Sequence, residues 1–168
     1  MRTYFVALVF VTILAAFSSV AYSQQAVFLV RHTELVGQPM AQPKDMPLSE
    51  AGQARAERLA SLLKDAGINA IYTTEFLRTR KTAEPLAQAL KIEIKVVQKG
   101  GPEPVVERLR KEHRQDIVLI VGHSDTLPGP LKALGHAPEI KIAPQDFSNL
   151  FVLMPKSDGP PTLLRLRY

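Results

Sequence analysis

The sequence predicts an α/β fold, a three-layer sandwich in which a mainly parallel sheet is flanked by helices. Short apolar runs of strand length, such as residues 26–30 and 117–121, alternate with longer segments whose apolar residues recur at helical spacing. Strands that alternate with helices favour parallel pairing, with helices covering both faces of the sheet. The last two predicted strands, 149–154 and 162–166, are joined by a tight turn. We expect them to form an antiparallel edge.

The first half of the chain is predicted to hold strands at 26–30, 69–73 and 92–97 and helices at 50–66 and 76–90. Ser49 is a typical N-cap residue, because its hydroxyl can accept a hydrogen bond from the first turn. Gly67 readily adopts the left-handed conformation that ends a helix. Pro85 lacks an N–H and crowds the preceding turn, so we expect a break or kink near Glu84 in the second helix.

The second half is predicted to hold helices at 103–113 and 127–134 and strands at 116–121, 149–154 and 162–166. Pro104 is compatible with the first of these helices, because a proline in the first turn loses no intrahelical hydrogen bond. The chain shows no internal repeat and no low-complexity stretch. One folded domain is therefore expected.

The N-terminus has the three regions of a secretory signal peptide. Arg2 supplies a positive charge, residues 5–17 are almost wholly apolar, and residues 18–23 are mostly small. We therefore expect a signal peptide over residues 1–23.

Cleavage between Ser23 and Gln24 would leave a mature domain over residues 24–168. The protein is then expected to be periplasmic or secreted, with no stable membrane insertion once the signal is cleaved. An uncleaved membrane anchor is the alternative. The apolar stretch is, however, shorter than the roughly 20 residues that span a bilayer comfortably.

The composition fits a packed, exported domain and argues against a nucleic-acid partner. Of the 168 residues 46% are apolar and none is cysteine, so neither a disulfide nor a lipid-modified cysteine is available. The net charge of +5 comes from Lys and Arg residues spread along the chain. A nucleic-acid binder would show a basic stripe or stacking aromatic residues.

Two of the predicted strands end on a histidine. Arg31 and His32 follow the run 26–30, and Gly122 and His123 follow the run 117–121. Chemistry in open α/β sheets gathers at the carboxyl ends of strands, so both imidazoles are expected at one edge. A neutral imidazole can attack phosphorus, and a guanidinium can clamp phosphate oxygens with its planar fork. The pattern predicts a phosphate site, although a lone histidine at a strand end is more often structural.

A third candidate segment, residues 72–83, leaves a predicted strand and enters a helix. Backbone N–H groups at a helix start favour anions, and Arg78 falls in this first turn. Glu75 lies at the same edge and could protonate a leaving oxygen. The alternative is that Glu75 caps the helix and Arg78 belongs to a solvated face. His113 and His136, near polar helix ends, are expected at the surface.

Four motifs in a fixed order, followed by a tail, carry a family resemblance. They are Val30-Arg31-His32-Thr33-Glu34, Asp45 to Gly52, Arg78 to Ala83, Val121 to Thr126, and Phe147 to Val152. In the same order, the first resembles the Arg-His-Gly-Glu motif of the histidine phosphatase superfamily and the second its Pro-Leu-Ser-x-x-Gly segment. The third resembles the Arg-Ala-x-Gln-Thr-Ala helix start of that family and the fourth its second histidine motif. The tail resembles the closing strand of the family. Thr33 stands where that family has glycine. The chain resembles a short member of branch 1, whose fold is called phosphoglycerate mutase-like.

The resemblance implies a specific chemistry. His32 would be the nucleophile that becomes phosphohistidine, and Arg31, Arg78 and His123 would bind the phosphate. His123 would also stabilise charge in the transition state. Water would then hydrolyse the intermediate, with no metal and no organic cofactor. The expected function is metal-independent hydrolysis of phosphomonoesters.

The chain also departs from the family pattern. Mutases and many longer phosphatases of the family carry an inserted segment with a glutamate that serves as general acid, and residues 97–112 do not match it. Mutase activity is therefore not expected. Glu75 is the first candidate for the acid and Asp125 the second.

The substrate is left open by these motifs. A small phosphorylated compound or a phosphoprotein is the expected partner. The alternative functions are a phosphohistidine protein phosphatase and a non-catalytic domain that binds a phosphorylated ligand on the same fold.

Overall fold

A computed structural model describes residues 26–37 and 46–168. Its elements in chain order are β1 Ala26–Arg31, α1 Glu50–Leu63, β2 Ile68–Thr74, α2 Leu77–Leu90, β3 Ile94–Val97, α3 Glu103–Glu112, β4 Ile117–Gly122, α4 Pro128–Ala133, β5 Asn149–Met154 and β6 Thr162–Arg167. The expected signal peptide over residues 1–23 and its cleavage site lie outside the described residues. Within the described ranges, no helix combines the length and the apolar character needed to cross a bilayer.

The sheet has six strands in the order β3-β2-β4-β1-β5-β6. The pairs β3–β2, β2–β4 and β4–β1 are parallel, whereas β1–β5 and β5–β6 are antiparallel. The predicted fold class and its antiparallel edge are therefore confirmed. Because β1 and β4 are parallel neighbours near the middle of the sheet, their carboxyl ends emerge side by side.

Two apolar cores lie on opposite faces of the sheet, as the alternation of side chains along a strand requires. Leu29 of β1 packs in one core with Leu109 of α3, and α4 packs against α3. The next residue, Val30, packs in the other core with Leu59 of α1 and Leu86 of α2. Each of these side chains is fully buried, which stabilises the fold by about 1.5–3 kcal/mol per residue. Helices thus cover both faces.

Helix α2 continues through Pro85 from Leu77 to Leu90. The predicted break near Glu84 is therefore wrong, and a kink at this position stays a prediction. An interior proline costs about 3 kcal/mol, but Ala83, Leu86 and Ala87 around it are buried in the core. Tertiary packing of this face outweighs the local preference.

His113 is buried, with 6% of its surface exposed, and the expectation that it lies at the surface is wrong. Its Nδ1 donates to the Asp116 carboxylate at 2.8 Å, and its Nε2 accepts from the hydroxyl of Tyr72 at 2.9 Å. Since both ring nitrogens are satisfied inside the fold, His113 ties the end of α3 to β2. It has a structural role away from the strand ends that carry His32 and His123.

Helix α1 begins directly against the loop that follows β1. The backbone N–H of Ser49 donates to the Glu34 carbonyl at 3.0 Å, and the Ser49 hydroxyl accepts from the N–H of Gly52 at 3.1 Å. The predicted N-cap is confirmed. Gly52 lies so close to the loop that an added Cβ would overlap the Glu34 carbonyl oxygen. The loop carrying His32 is therefore held against α1 by a contact that only glycine permits.

We expect Gly52→Ala to destabilise the protein by about 1–3 kcal/mol, because the new methyl group must displace backbone rather than a flexible side chain. This outcome opposes helix propensity, which favours alanine over glycine by about 1 kcal/mol. Urea unfolding measures the difference. Gly100→Ala is the control, since its nearest neighbouring atom would be 4.0 Å from the new Cβ. A Gly52→Ala variant as stable as the original chain would contradict the close contact.

Candidate active site

His32 and His123 meet at the carboxyl edge of the sheet. His32 follows β1 and His123 follows β4, and the register pairs Arg31 with Gly122 at the ends of these strands. The backbone N–H of His32 also donates to the Gly122 carbonyl at 2.9 Å. The two imidazole centroids are consequently 5.3 Å apart, and both rings are almost fully buried.

The tautomer of His32 is set by a hydrogen bond to its neighbour. Nδ1 lies 2.9 Å from the carbonyl oxygen of Thr33. A carbonyl only accepts, so Nδ1 carries the hydrogen and Nε2 keeps its lone pair. Burial, and then the positive charges of Arg31 and Arg78, lower the pKa of His32 to about 4, although the Thr33 hydrogen bond acts in the opposite direction. The imidazole is therefore neutral and nucleophilic at neutral pH.

His123 is tied to the neighbouring strand β2. Its Nε2 is hydrogen-bonded to the Thr74 hydroxyl at 2.9 Å, and that hydroxyl lies 2.9 Å from the hydroxyl of Thr79. Thr79 in turn donates to the carbonyl of Phe76 at 2.8 Å. Burial, followed by the charges of His32 and Arg78, lowers the pKa of His123 to about 3. Both imidazoles are thus held neutral by the same desolvated edge.

The guanidinium group of Arg31 is hydrogen-bonded along one edge and covered by an aromatic ring on one face. Its Nη1 donates to the carbonyls of Pro144 at 2.6 Å and Ala143 at 3.3 Å, and its guanidinium carbon lies 4.1 Å from the centroid of the Phe147 ring. Its Nε is buried, and no residue in the described ranges accepts a hydrogen bond from it. A buried donor of this kind is costly unless an acceptor arrives, so the Nε edge of Arg31 is suited to an oxyanion.

Arg78 approaches the same histidines from the first turn of α2. It is buried, and its guanidinium carbon lies 4.2 Å from the centroid of the Phe76 ring. Thr82, one turn further along, donates to the Arg78 carbonyl at 2.8 Å and accepts from the N–H of Thr33 at 3.0 Å. The start of α2 is thereby attached to the loop that carries His32.

Two carboxylates lie at this edge. The carboxylate of Glu75 accepts from the backbone N–H of Lys99 at 2.6 Å, and its charge acts on Arg78. Asp125 forms an ion pair with the Lys99 ammonium at 2.8 Å, and its charge reaches both histidines. The hydrogen bond and charge of Lys99 keep the pKa of Asp125 below its usual value, against the effect of burial. Asp125 is therefore ionised at neutral pH.

Glu34, the last residue of the Arg31 to Glu34 motif, has a supporting position. Its carboxylate accepts from Nε and Nη2 of Arg55, with the shortest distance 2.7 Å, and Nη1 of Arg55 donates to the backbone oxygen of Tyr168 at 2.7 Å. This bidentate pair fixes the loop after β1 to α1.

The structure brings His32, His123, Arg31 and Arg78 together and places Glu75 and Asp125 at the rim. Sequence reasoning did not single out four residues that contact this group, namely Thr74, Phe76, Lys99 and Phe147. Phe76 could have been suspected, because it stands between the end of β2 and Arg78. Phe147 gave no such signal, since its contact with Arg31 spans more than 100 residues of chain.

In the described part of the chain, no group of three or more His, Asp or Glu side chains is arranged to hold a metal ion. The expectations of no metal and no cofactor stay predictions. What the geometry offers is two neutral imidazoles beside two buried guanidiniums, a combination that suits a small dianion.

Two comparisons of the sequence with known proteins find a family and a relative that it resembles. Residues 27–99 match the model of the histidine phosphatase superfamily (branch 1). The probable phosphoglycerate mutase GpmB of Proteus mirabilis is 37% identical over 71 residues, which cover 40% of this chain and 33% of that protein. The chain thus matches about a third of the length of this curated relative.

Solved structures share the fold. The protein histidine phosphatase SixA complexed with tungstate superposes with a TM-score of 0.70 at 18% identity, covering 84% of this chain and 96% of that one. The mycobacterial glucosyl-3-phosphoglycerate phosphatase superposes with a TM-score of 0.63 at 15% identity, covering 86% and 98%. The chain therefore shares its fold with these solved phosphatases, and its residues 27–99 are similar to the histidine phosphatase superfamily (branch 1).

Proposed function

We propose that this protein hydrolyses phosphomonoesters through a phosphohistidine on His32, without a metal or an organic cofactor. The match of residues 27–99 to the superfamily model and the fold shared with solved phosphatases support phosphatase activity at the level of reaction class. The observation that carries the finer proposal is the state of His32. Its imidazole is neutral, its proton is held at Nδ1 by the Thr33 carbonyl, and Nε2 keeps a lone pair.

The proposed reaction has two displacements at phosphorus. In the first, the Nε2 lone pair of His32 forms the P–N bond while the P–O bond to the leaving group breaks, and a carboxylic acid gives its proton to the departing oxygen. In the second, water attacks the phosphorus of phosphohistidine, the P–N bond breaks, and the carboxylate takes up the proton. Inorganic phosphate and neutral His32 are the products.

Arg31 and Arg78 supply the charge that such a reaction needs. Phosphoryl transfer depends on stabilising the negative charge of the three non-bridging oxygens. The buried Nε of Arg31 lacks an acceptor in the described part of the chain, and a phosphate oxygen would satisfy it. Tungstate, the ligand of the SixA structure, is a tetrahedral oxyanion as phosphate is.

A phosphohistidine protein phosphatase is the second candidate. The fold superposes on 96% of the SixA chain, so the two share nearly the whole of that compact domain. A phosphohistidine on another protein can enter the site only if the site is open to that protein. The small ester p-nitrophenyl phosphate needs no such opening. Dephosphorylation of a phosphohistidine protein faster than of aryl phosphates would favour this candidate.

We expect His32→Ala to lower the kcat for p-nitrophenyl phosphate by at least about 1,000-fold, because the first displacement loses its nucleophile. The assay contains a chelator, which should leave the unaltered protein fully active. His136→Ala is the matched control, since His136 follows α4 and makes no contact with the two site histidines in the described structure. Activity retained in His32→Ala would contradict the covalent mechanism, and loss of activity in chelator would point to a metal enzyme.

Glu75 is proposed as the general acid. We expect Glu75→Gln to reduce kcat/KM for phenyl phosphate about 10–100-fold more than for p-nitrophenyl phosphate, because the poorer leaving group depends more on protonation. Asp125→Asn serves as the comparison, since the Lys99 ion pair keeps Asp125 ionised. Equal losses for both esters in Glu75→Gln would remove Glu75 from this role. A selective loss confined to Asp125→Asn would transfer the role to Asp125.

A further inference from the structure

We propose that Phe76 and Phe147 are positioning residues, whose ring faces fix the guanidinium planes of Arg78 and Arg31 so that their donor edges point at the oxyanion. This inference rests on the proposed function of the same site. The two rings stand in matching positions, since each lies against one guanidinium and beside one imidazole. Neither residue belongs to the group that contacts phosphate.

The Phe147 side of the site shows how the restraint works. Ala143, Pro144 and Phe147 belong to one short loop that precedes β5. Two of its carbonyls accept from Nη1 of Arg31, and its aromatic ring covers the guanidinium face at 4.1 Å. A planar group held on one edge and one face has a single orientation. The remaining edge, formed by Nε and Nη2, is the edge that binds oxyanions in a bidentate manner.

The Phe76 side repeats the arrangement with a local contact. Phe76 has extended backbone angles and immediately precedes α2, whereas Arg78 lies in the first turn of that helix. The ring centroid is 4.2 Å from the guanidinium carbon of Arg78 and 5.0 Å from the imidazole centroid of His123. A cation is attracted to the face of an aromatic ring, and the attraction is stronger where water is excluded.

Exposure separates these two rings from ordinary core phenylalanines. Phe76 and Phe147 are only half-buried, so apolar burial alone gives them little reason to lie at a charged edge. Phe151, by contrast, is fully buried on β5 and has an arginine, Arg165, at 5.4 Å from its ring centroid. Phe151 contacts neither site histidine among the described ring contacts, which makes it a matched control.

The test is the affinity of the full domain for tungstate, measured by calorimetry. We expect Phe147→Leu and Phe76→Leu each to weaken binding by about 5–10-fold, the equivalent of losing one cation–ring contact. Phe147→Tyr and Phe76→Tyr keep a ring face and should stay within about 2-fold of the unaltered protein. Phe151→Leu should also leave the affinity within about 2-fold, although its buried cavity lowers stability.

A double-mutant cycle shows whether each ring acts through its own arginine. In an Arg31→Met background, Phe147→Leu should change the tungstate affinity by no more than about 2-fold, whereas in an Arg78→Met background it should keep its full effect. A purely structural role would give the same loss in both backgrounds and would overturn the proposal. So would leucine variants that bind as tightly as the unaltered protein. A Leu variant that does not fold, beside a Tyr variant that folds but binds weakly, would also contradict it.

The failure of this inference can be told apart from the failure of the proposed function. If the unaltered protein binds no tungstate, the oxyanion site itself is wrong and both fall. If the unaltered protein binds tungstate and the ring substitutions are without effect, the phosphate site stands and the positioning role alone is wrong.

Discussion

The parallel pairing of β1 with β4 is the constraint on which the site depends. It sets Arg31 opposite Gly122, and the hydrogen bond from the His32 N–H to the Gly122 carbonyl extends the pairing by one residue. Two histidines that are 91 positions apart in the sequence are thereby placed with centroids 5.3 Å apart. The start of α2 then brings Arg78 to the same edge, through the contact of Thr82 with the loop after β1. A shift of register by one residue would turn the flanking side chains to the other face and dismantle the group.

Burial at this edge lowers the pKa values of the two site histidines, and it lowers the free energy of unfolding at acidic pH. The folded pKa values of His32 and His123, about 4 and about 3, lie below the 6.5 of an exposed imidazole. At a pH between the folded pKa values and 6.5, the unfolded chain binds protons on these histidines that the folded chain does not. The free energy of unfolding therefore falls as the pH drops below about 6.5. The same desolvation keeps both rings neutral at pH 7, as the proposed attack by a lone pair requires. The buried Nε of Arg31 has no acceptor among the described residues, and a bound phosphate oxygen would satisfy it. The site is therefore organised for an oxyanion before one arrives.

Much of the fold and the centre of the site could be predicted from the sequence, because both depend on local patterns. The apolar runs, the Ser49 cap and the strand-end histidines are read directly from neighbouring residues. Pro85 shows where local rules fail, since the burial of its helix outweighs a preference that acts within one turn. His113 shows the same for polarity, because its partner Tyr72 lies on a strand 41 residues away. Phe147 was out of reach for a similar reason. Its contact with Arg31 joins residues far apart in the sequence, which the antiparallel pairing of β1 with β5 brings together.

The central claim is that His32 is a neutral imidazole with its proton on Nδ1. Nitrogen-15 NMR of the labelled protein measures this directly, because protonated and unprotonated ring nitrogens have well-separated shifts. At pH 7 we expect His32 to show a protonated Nδ1 and an unprotonated Nε2, and to titrate with a midpoint of about 4. A midpoint near 6.5 would contradict the account because the ring would then not be desolvated. A proton on Nε2 would contradict it because the nitrogen assigned to attack phosphorus would then lack its lone pair.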